Sequence, residues 1–383
     1  MTTTDEMDPP RPLEGIRVLD FSTLLPGPLA TLVLAEAGAE VIKIERPGQG
    51  DEMRSYVPKF GADSVNFALL NRGKRSIAID LKQEGAFETL RPLVAQADIV
   101  VEQFRPGVMD RLGFGYDALS SVNPRLIYCA ITGYGQHGPR AGVAAHDLNY
   151  VAESGILSLT AGADGAPVLP PALIADIAGG TYPAVVNILL ALRRRDQTGK
   201  GCKLDIAMAD NLFAFLYWAM GNGQAAGKWP TAGSDLVTGG SPRYQVYPTA
   251  DNRFIAAAPL EEKFWGNFLD VIGAPELRDD AGDPAAVKAR VAAILATRPA
   301  QHWLARFDGK DVCCTVVASV EEAMRDAHFR ARGLFARQLA AGAQRIAALP
   351  VPVAAPFRGR EQMSPYPGLG EANADFGITA PPG

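Results

Sequence analysis

Apolar positions first gather in a short run over Ile16–Phe21, then in a helix-length stretch over Leu29–Ala37 that Gly38 closes, then in a second run over Glu40–Glu45. Short continuous runs of this kind predict strands buried on both faces, and the longer stretch between them predicts a helix. Strand, helix, strand is a βαβ unit, the building block of a parallel sheet. The rhythm repeats: Ser76–Asp80 predicts a strand, Gly85–Ala97 a helix, Ile99–Glu102 a strand, Tyr116–Ser121 a short helix and Leu126–Thr132 a strand. Two longer helices are expected over 176–195 and 205–221, separated by a turn at Thr198–Lys203. The fold class that follows is α/β, with a doubly wound parallel-sheet large domain spanning residues 13–224.

The second half has a different texture. Gly227–Pro242 is rich in Gly, Pro and Ser and reads as a linker or loop. Tyr244–Tyr247 and Phe254–Ala258 alternate like a hairpin around Ala250-Asp251-Asn252. Helical segments follow near 261–272, 285–296 and 300–307. Cys313 and Cys314, flanked by Val312, Thr315, Val316 and Val317, read as a buried strand. Residues 225–330 are therefore expected to form a smaller α+β domain. Residues 331–383 are expected to return to the large domain, with little periodicity after 345, and residues 1–12 to form a mobile tail.

Composition changes this picture only in what it excludes. The 383 residues are 48% hydrophobic and 21% charged, enough for sizeable soluble cores. The net charge of −5 argues against nucleic acid or an anionic membrane as partner. Residues 1–12 are polar and Pro-rich, unlike a signal peptide, and apolar runs fall short of the roughly 20 residues that a membrane span needs. The four cysteines form neither a CxxC pair nor a Cys/His cluster, so no metal site or disulfide framework is expected. A reduced, cytoplasmic chain fits these features.

Candidate chemistry lies in three places. The turn after the first strand, residues 22–28, lacks GxGxxG, which argues against dinucleotide binding despite the βαβ unit. Cations stand near the ends of the early strands: Arg46, then Arg72, Lys74 and Arg75, then Arg105 and Arg111. Several in one crevice would suit a multiply phosphorylated nucleotide, whereas each alone reads as surface charge. The third place is His146-Asp147-Leu148-Asn149-Tyr150, after the Gly-rich segment 133–140, together with Asp176 in the apolar run 173–180. Asp176 reads either as a helix N-cap or as an acid/base group, and His146 either as a satisfied histidine or as a catalyst.

The blocks at 12–21, 38–47 (GAEVIKIERP), 71–82 (NRGKRSIAIDLK), 102–113 (EQFRPGVMDRLG) and 198–201 resemble the class III CoA-transferase superfamily, and His-Asp-Leu-Asn-Tyr at 146–150 resembles its α-methylacyl-CoA racemase branch. The resemblance implies a ring-shaped subunit interlocked with a second copy as a homodimer, and an acyl-CoA thioester as substrate, with coenzyme A entering as part of it and no other cofactor. It implies contacts to the nucleotide from Arg46, Lys74, Arg75 and Arg111, with Leu70, Gln103 and Phe104 on matching loops. Asp176 matches an aspartate that in the transferases resembles a nucleophile and in the racemases one of two proton carriers. His146 matches the other carrier, and Glu261 a glutamate that pairs with it, although Glu262 is adjacent. The implied activity is racemisation of 2-methylacyl-CoA esters, as in fatty acid metabolism, with CoA transfer as the alternative. The acyl group, from short to bile-acid-like, stays open.

Overall fold

The computed structural model describes residues 10–162, 164–359, 361 and 363–378. The expected mobile tail therefore lies mostly outside the described residues. Two units emerge. The first joins the described residues up to Ser154 with Pro171–Phe213 and with the chain from Ala327 onward; the second joins Gly155–Pro170 with Ala214–Asp326.

In the first unit the chain runs β1 (Arg17–Asp20), α1 (Pro26–Glu36), β2 (Glu40–Glu45), β3 (Arg75–Ala78), α2 (Ala86–Gln96), β4 (Ile99–Glu102), β5 (Ile127–Thr132), α3 (Asp147–Glu153), α4 (Tyr182–Thr198) and β6 (Cys202–Ala207). The six strands form one sheet in the order β3-β2-β1-β4-β5-β6, every pairing parallel. Chain order reverses between β1 and β4, where Leu19 faces Val100 in register. In such doubly wound sheets the ligand crevice opens at that reversal, beyond the carboxyl ends of the strands.

Every residue of β4 and β5 is buried, which explains why their sequences run apolar rather than alternating up to their last residues, Glu102 and Thr132. Helix α1 starts with Pro26 in its first turn and buries every residue but Ala35. Ala175–Thr198 is long and apolar enough to cross a membrane by length and composition, contrary to the expectation from the sequence, and half of its apolar window is buried.

Two expectations are corrected here. Residues 205–221 are not one helix: Cys202–Ala207 is the edge strand β6, followed by short helical turns at Met208–Asn211 and Leu212–Leu216 and a helix at Tyr217–Ala226. Lys203 and Asp205 point to solvent, an alternation too short to stand out beside the apolar residues that follow. The end of the chain is also less irregular than its composition suggests. Gln338–Ala341 pairs antiparallel with Gln344–Ala347 and parallel with Met363–Pro365, and Leu339 packs against Phe60 and Ala68.

The second unit holds β7 (Gln245–Pro248), β8 (Phe254–Ala257), α5 (Glu262–Ile272), α6 (Pro284–Leu295), α7 (Ala300–Phe307) and β9 (Cys314–Val316). Its antiparallel sheet runs β9-β8-β7. Trp265, Phe268, Trp303 and Phe307 fill the core beneath it. The buried-cysteine expectation fails: Cys313 is exposed with φ +50°, and Cys314 is only partly covered, because β9 is an edge strand.

Candidate functional site

A cavity of about 350 Å³ opens at the reversal point of the parallel sheet. Leu24 and Pro26, after β1, form one wall, and Gln103, Phe104 and Arg105, after β4, form another. Thr132, the last residue of β5, lines the same cavity, as do His146 and Asp176. Every lining residue belongs to the first unit.

Local packing explains how these side chains are held. His146 precedes α3, and its backbone N–H donates to Oδ1 of Asn149 at 3.0 Å, which fixes the turn into the helix. Tyr150 is buried and donates to the carbonyl of Ala145 at 2.9 Å. Gly133 makes room for that tyrosine, since a Cβ there would stand 2.3 Å from its hydroxyl oxygen. The side chain of Asn149 and the ring of Tyr150 thus account for the Asn-Tyr that follows His-Asp.

Asp176 is not the N-cap that its position in the sequence suggested. It lies in a π-helical turn, Ala175–Thr181, that leads directly into α4. Such wide turns occur often at functional sites. Two contacts hold this one close to the sheet. A Cβ on Gly179 would meet the carbonyl oxygen of Met208 at 2.3 Å, so only glycine permits the approach. Thr181 donates its hydroxyl to the carbonyl of Pro26 at 2.8 Å, tying the turn to the loop after β1. The N–H of Asp176 donates to Oδ1 of Asp147 at 2.9 Å, and that of Ile177 to the carbonyl of Leu173. These two backbone donors beside the carboxyl are therefore already committed.

Burial, with the negative charge of Asp147 second, pushes the Asp176 carboxyl up to about 7. A carboxyl so placed can take or give a proton near neutral pH.

The anticipated cations separate into different roles. Lys74 is fully buried, and its ammonium is met by Oδ2 of Asp20, the carbonyl of Pro28, Oγ1 of Thr31 and Oδ1 of Asn71 within 3.2 Å. It belongs to a core charge network with Lys43, which pairs with Asp51 at 3.0 Å. No N–H of Lys74 is left for a nucleotide, which corrects its place among the expected phosphate contacts. Arg72 pairs with buried Glu36, and Arg75 pairs with Glu40 and Asp375. Leu70 is a core side chain. Arg111 is exposed, and Arg46, also exposed, lines a separate cavity of about 560 Å³ that Gly48, Arg54 and Lys59 also line.

In the second unit, Glu261 is the N-cap residue of α5 and makes no side-chain capping bond. Its neighbour Glu262 pairs with Arg243 at 2.7 Å. That leaves Glu261 as the carboxylate of the two without a structural ion pair among the described residues.

Three features escaped the reading of the sequence. Leu24 holds a φ of +61°, rare for a branched side chain, at the cavity wall, where its N–H donates to the carboxylate of Asp51. Glu102, buried at the end of β4, accepts the N–H of Phe104 at 2.7 Å, and burial raises it to about 7. Thr132 is 6% exposed, and its hydroxyl has no hydrogen-bond partner among the described residues. No local sequence pattern marks any of the three, because each depends on what the sheet brings alongside.

The chain matches CoA-transferase family III over residues 13–373. Acetyl-CoA:oxalate CoA-transferase of Acetobacter aceti is 39% identical over 79% of this chain and 80% of its own length. Alpha-methylacyl-CoA racemase of Mus musculus is 36% identical over 94% of this chain and 91% of its own. The crystal structure of a CAIB/BAIF family protein from Brucella suis superposes with a TM-score of 0.80 at 31% identity, covering 96% of this chain and 98% of that one.

Proposed function

From its membership of CoA-transferase family III, shown over residues 13–373, we propose that this chain is an enzyme that racemises 2-methylacyl-CoA thioesters by moving a proton at the α-carbon. The observation that carries the reading is that one cavity is lined by an imidazole, His146, and by a carboxyl, Asp176, that burial holds near neutrality. A proton beside a thioester is a weak acid, and inverting that carbon is simplest with two acid/base groups on opposite faces. One takes the proton while the other returns it, through an enolate. Groups that titrate near the working pH serve both directions equally.

The cavity sits where a doubly wound sheet binds its ligand. A thioester entering there would leave its nucleotide at the protein surface, where Arg46 and Arg111 are exposed. Gln103 and Phe104 would flank the thioester arm. Glu261 would orient the imidazole of His146 in a homodimeric assembly. Neither metal nor redox chemistry is needed for this step.

A second reading, CoA transfer with Asp176 as nucleophile, is favoured by the likeness to the oxalate transferase. A nucleophilic carboxylate works ionised, however, and one held near 7 is only partly so. The two readings separate in one experiment. The protein is incubated with 2-methylpropanoyl-CoA in D₂O and then treated with hydroxylamine. Deuterium at C2 with no hydroxamate on Asp176 is expected. A trapped Asp176 adduct without exchange would establish the transferase.

A further inference from the structure

Thr132 ends strand β5 at the cavity that His146 and Asp176 also line. Its side chain is nine-tenths buried, and its hydroxyl has no partner among the described residues. Buried hydroxyls are nearly always hydrogen-bonded, because an unmade bond in a low-dielectric setting is costly. Valine has the same shape and would fill this position without that cost. A hydroxyl kept here points to a partner that arrives with the ligand. No described residue bonds the hydroxyl, so turning the single Cα–Cβ torsion towards the lumen breaks no hydrogen bond among them.

We propose that the Thr132 hydroxyl donates a hydrogen bond to the carbonyl oxygen of the bound thioester. This rests on the function proposed above. If the α-carbon lies between His146 and Asp176, the nearest polar atom of the ligand is that oxygen, one bond removed from the reacting carbon's neighbour. The oxygen gains negative charge as the proton leaves, and a fixed donor there lowers the barrier. The N–H groups of Asp176 and Ile177, the backbone donors closest in sequence to the carboxyl, are occupied by Asp147 and Leu173. Those two are committed, and the Thr132 hydroxyl is a side-chain donor in the wall still without a partner among the described residues.

The test compares two ligands that differ only at the carbonyl: 2-methylpropanoyl-CoA and the thioether S-(2-methylpropyl)-CoA, measured by calorimetry on wild type, Thr132→Val and Thr132→Ser. Wild type should prefer the thioester. Thr132→Val should lose about fivefold in thioester affinity with thioether affinity unchanged, the scale of one neutral hydrogen bond. Thr132→Ser should retain the preference. In turnover, Thr132→Val should lower kcat about a hundredfold with a smaller change in KM, as for loss of one oxyanion donor. Its melting temperature should stay the same or rise. Equal loss of both ligands, an unchanged preference in the valine variant, or no preference in wild type would overturn the proposal. If the preference follows the hydroxyl while wild type shows no exchange at C2, the thioester contact stands and the racemase reading falls.

Discussion

Oδ1 of Asp147 accepts the backbone N–H of Asp176 at 2.9 Å, so the residue next to His146 in sequence is also the residue that anchors Asp176. One carboxylate thereby ties the start of α3 to the π-helical turn and adds its negative charge beside the second acid/base group. The contact ties Asp176 to the helix that follows His146, and the charge of Asp147 adds to the burial that raises the Asp176 carboxyl.

That contact makes the pH profile a probe. Asp147→Asn keeps an oxygen acceptor and removes the charge. Since the charge raises the Asp176 carboxyl, its removal should move the corresponding limb of the kcat/KM profile to lower pH. Burial is the larger cause, so the limb should stop well above the ordinary carboxylate value. An unmoved limb would mean that Asp176 does not produce it.

Gly179 is the close-approach point between the π-helical turn and Met208. Gly179→Ala should destabilise the protein by about 1–3 kcal/mol, the usual cost of forced overpacking. Because the turn carries Asp176, turnover should fall by more than the loss of folded protein explains. Thermal unfolding and kcat measured on the same preparation separate the two effects.

Lys74 and Arg46 should behave in opposite ways. Lys74→Ala removes the ion partner of the fully buried Asp20 carboxylate and should cost about 3–5 kcal/mol of stability. Arg46→Ala should leave the melting temperature alone and weaken binding of coenzyme A. Asp20 is held down to about 2 by Lys74, Lys43 and two hydroxyls despite its burial. Its folded value lies below the unfolded one, so its contribution is complete above pH 4 and lost as pH falls towards 2. Acid unfolding of wild type should begin in that window.

Glu102 works with the opposite sign. Burial raises it from 4.5 to about 7, so between those values the folded state holds a proton that the unfolded state has released, and stability falls as pH rises. Glu102→Gln, which can still accept the N–H of Phe104, should raise stability at pH 8 by about 3 kcal/mol and flatten the dependence of Tm on pH between 5 and 7. A variant with the wild-type slope would remove Glu102 from the account.

The fully buried strands were legible because a parallel sheet covered on both faces makes runs such as Ile99–Val101 apolar at successive positions, with Glu102 only at the strand's end. The edge strand at 202–207 was not, since one face meets solvent and the signal is a few alternating residues. His146 and Asp176 were visible as rare polar groups in motifs. Their environment was not, because the Asp147 contact and the π turn are set by Gly179 against Met208, residues 29 positions apart in a chain whose spacing says nothing of approach. Lys74 misled for the same reason: next to Arg75 it reads as a surface cation, and only the sheet shows it pointing inward to Asp20. Thr132 looked like any strand residue until its hydroxyl was found unpaired.

The central claim is that His146 and Asp176 serve one carbon from opposite faces. The most direct measurement is exchange at C2 in D₂O from each pure enantiomer of a 2-methylacyl-CoA ester, followed by NMR for wild type, His146→Ala and Asp176→Asn. Wild type should exchange both enantiomers and interconvert them. Each variant should lose interconversion by at least about a hundredfold while retaining exchange from only one enantiomer, and the two variants should retain opposite ones. Exchange that falls equally from both enantiomers in either variant, or that is absent from wild type altogether, would contradict the account.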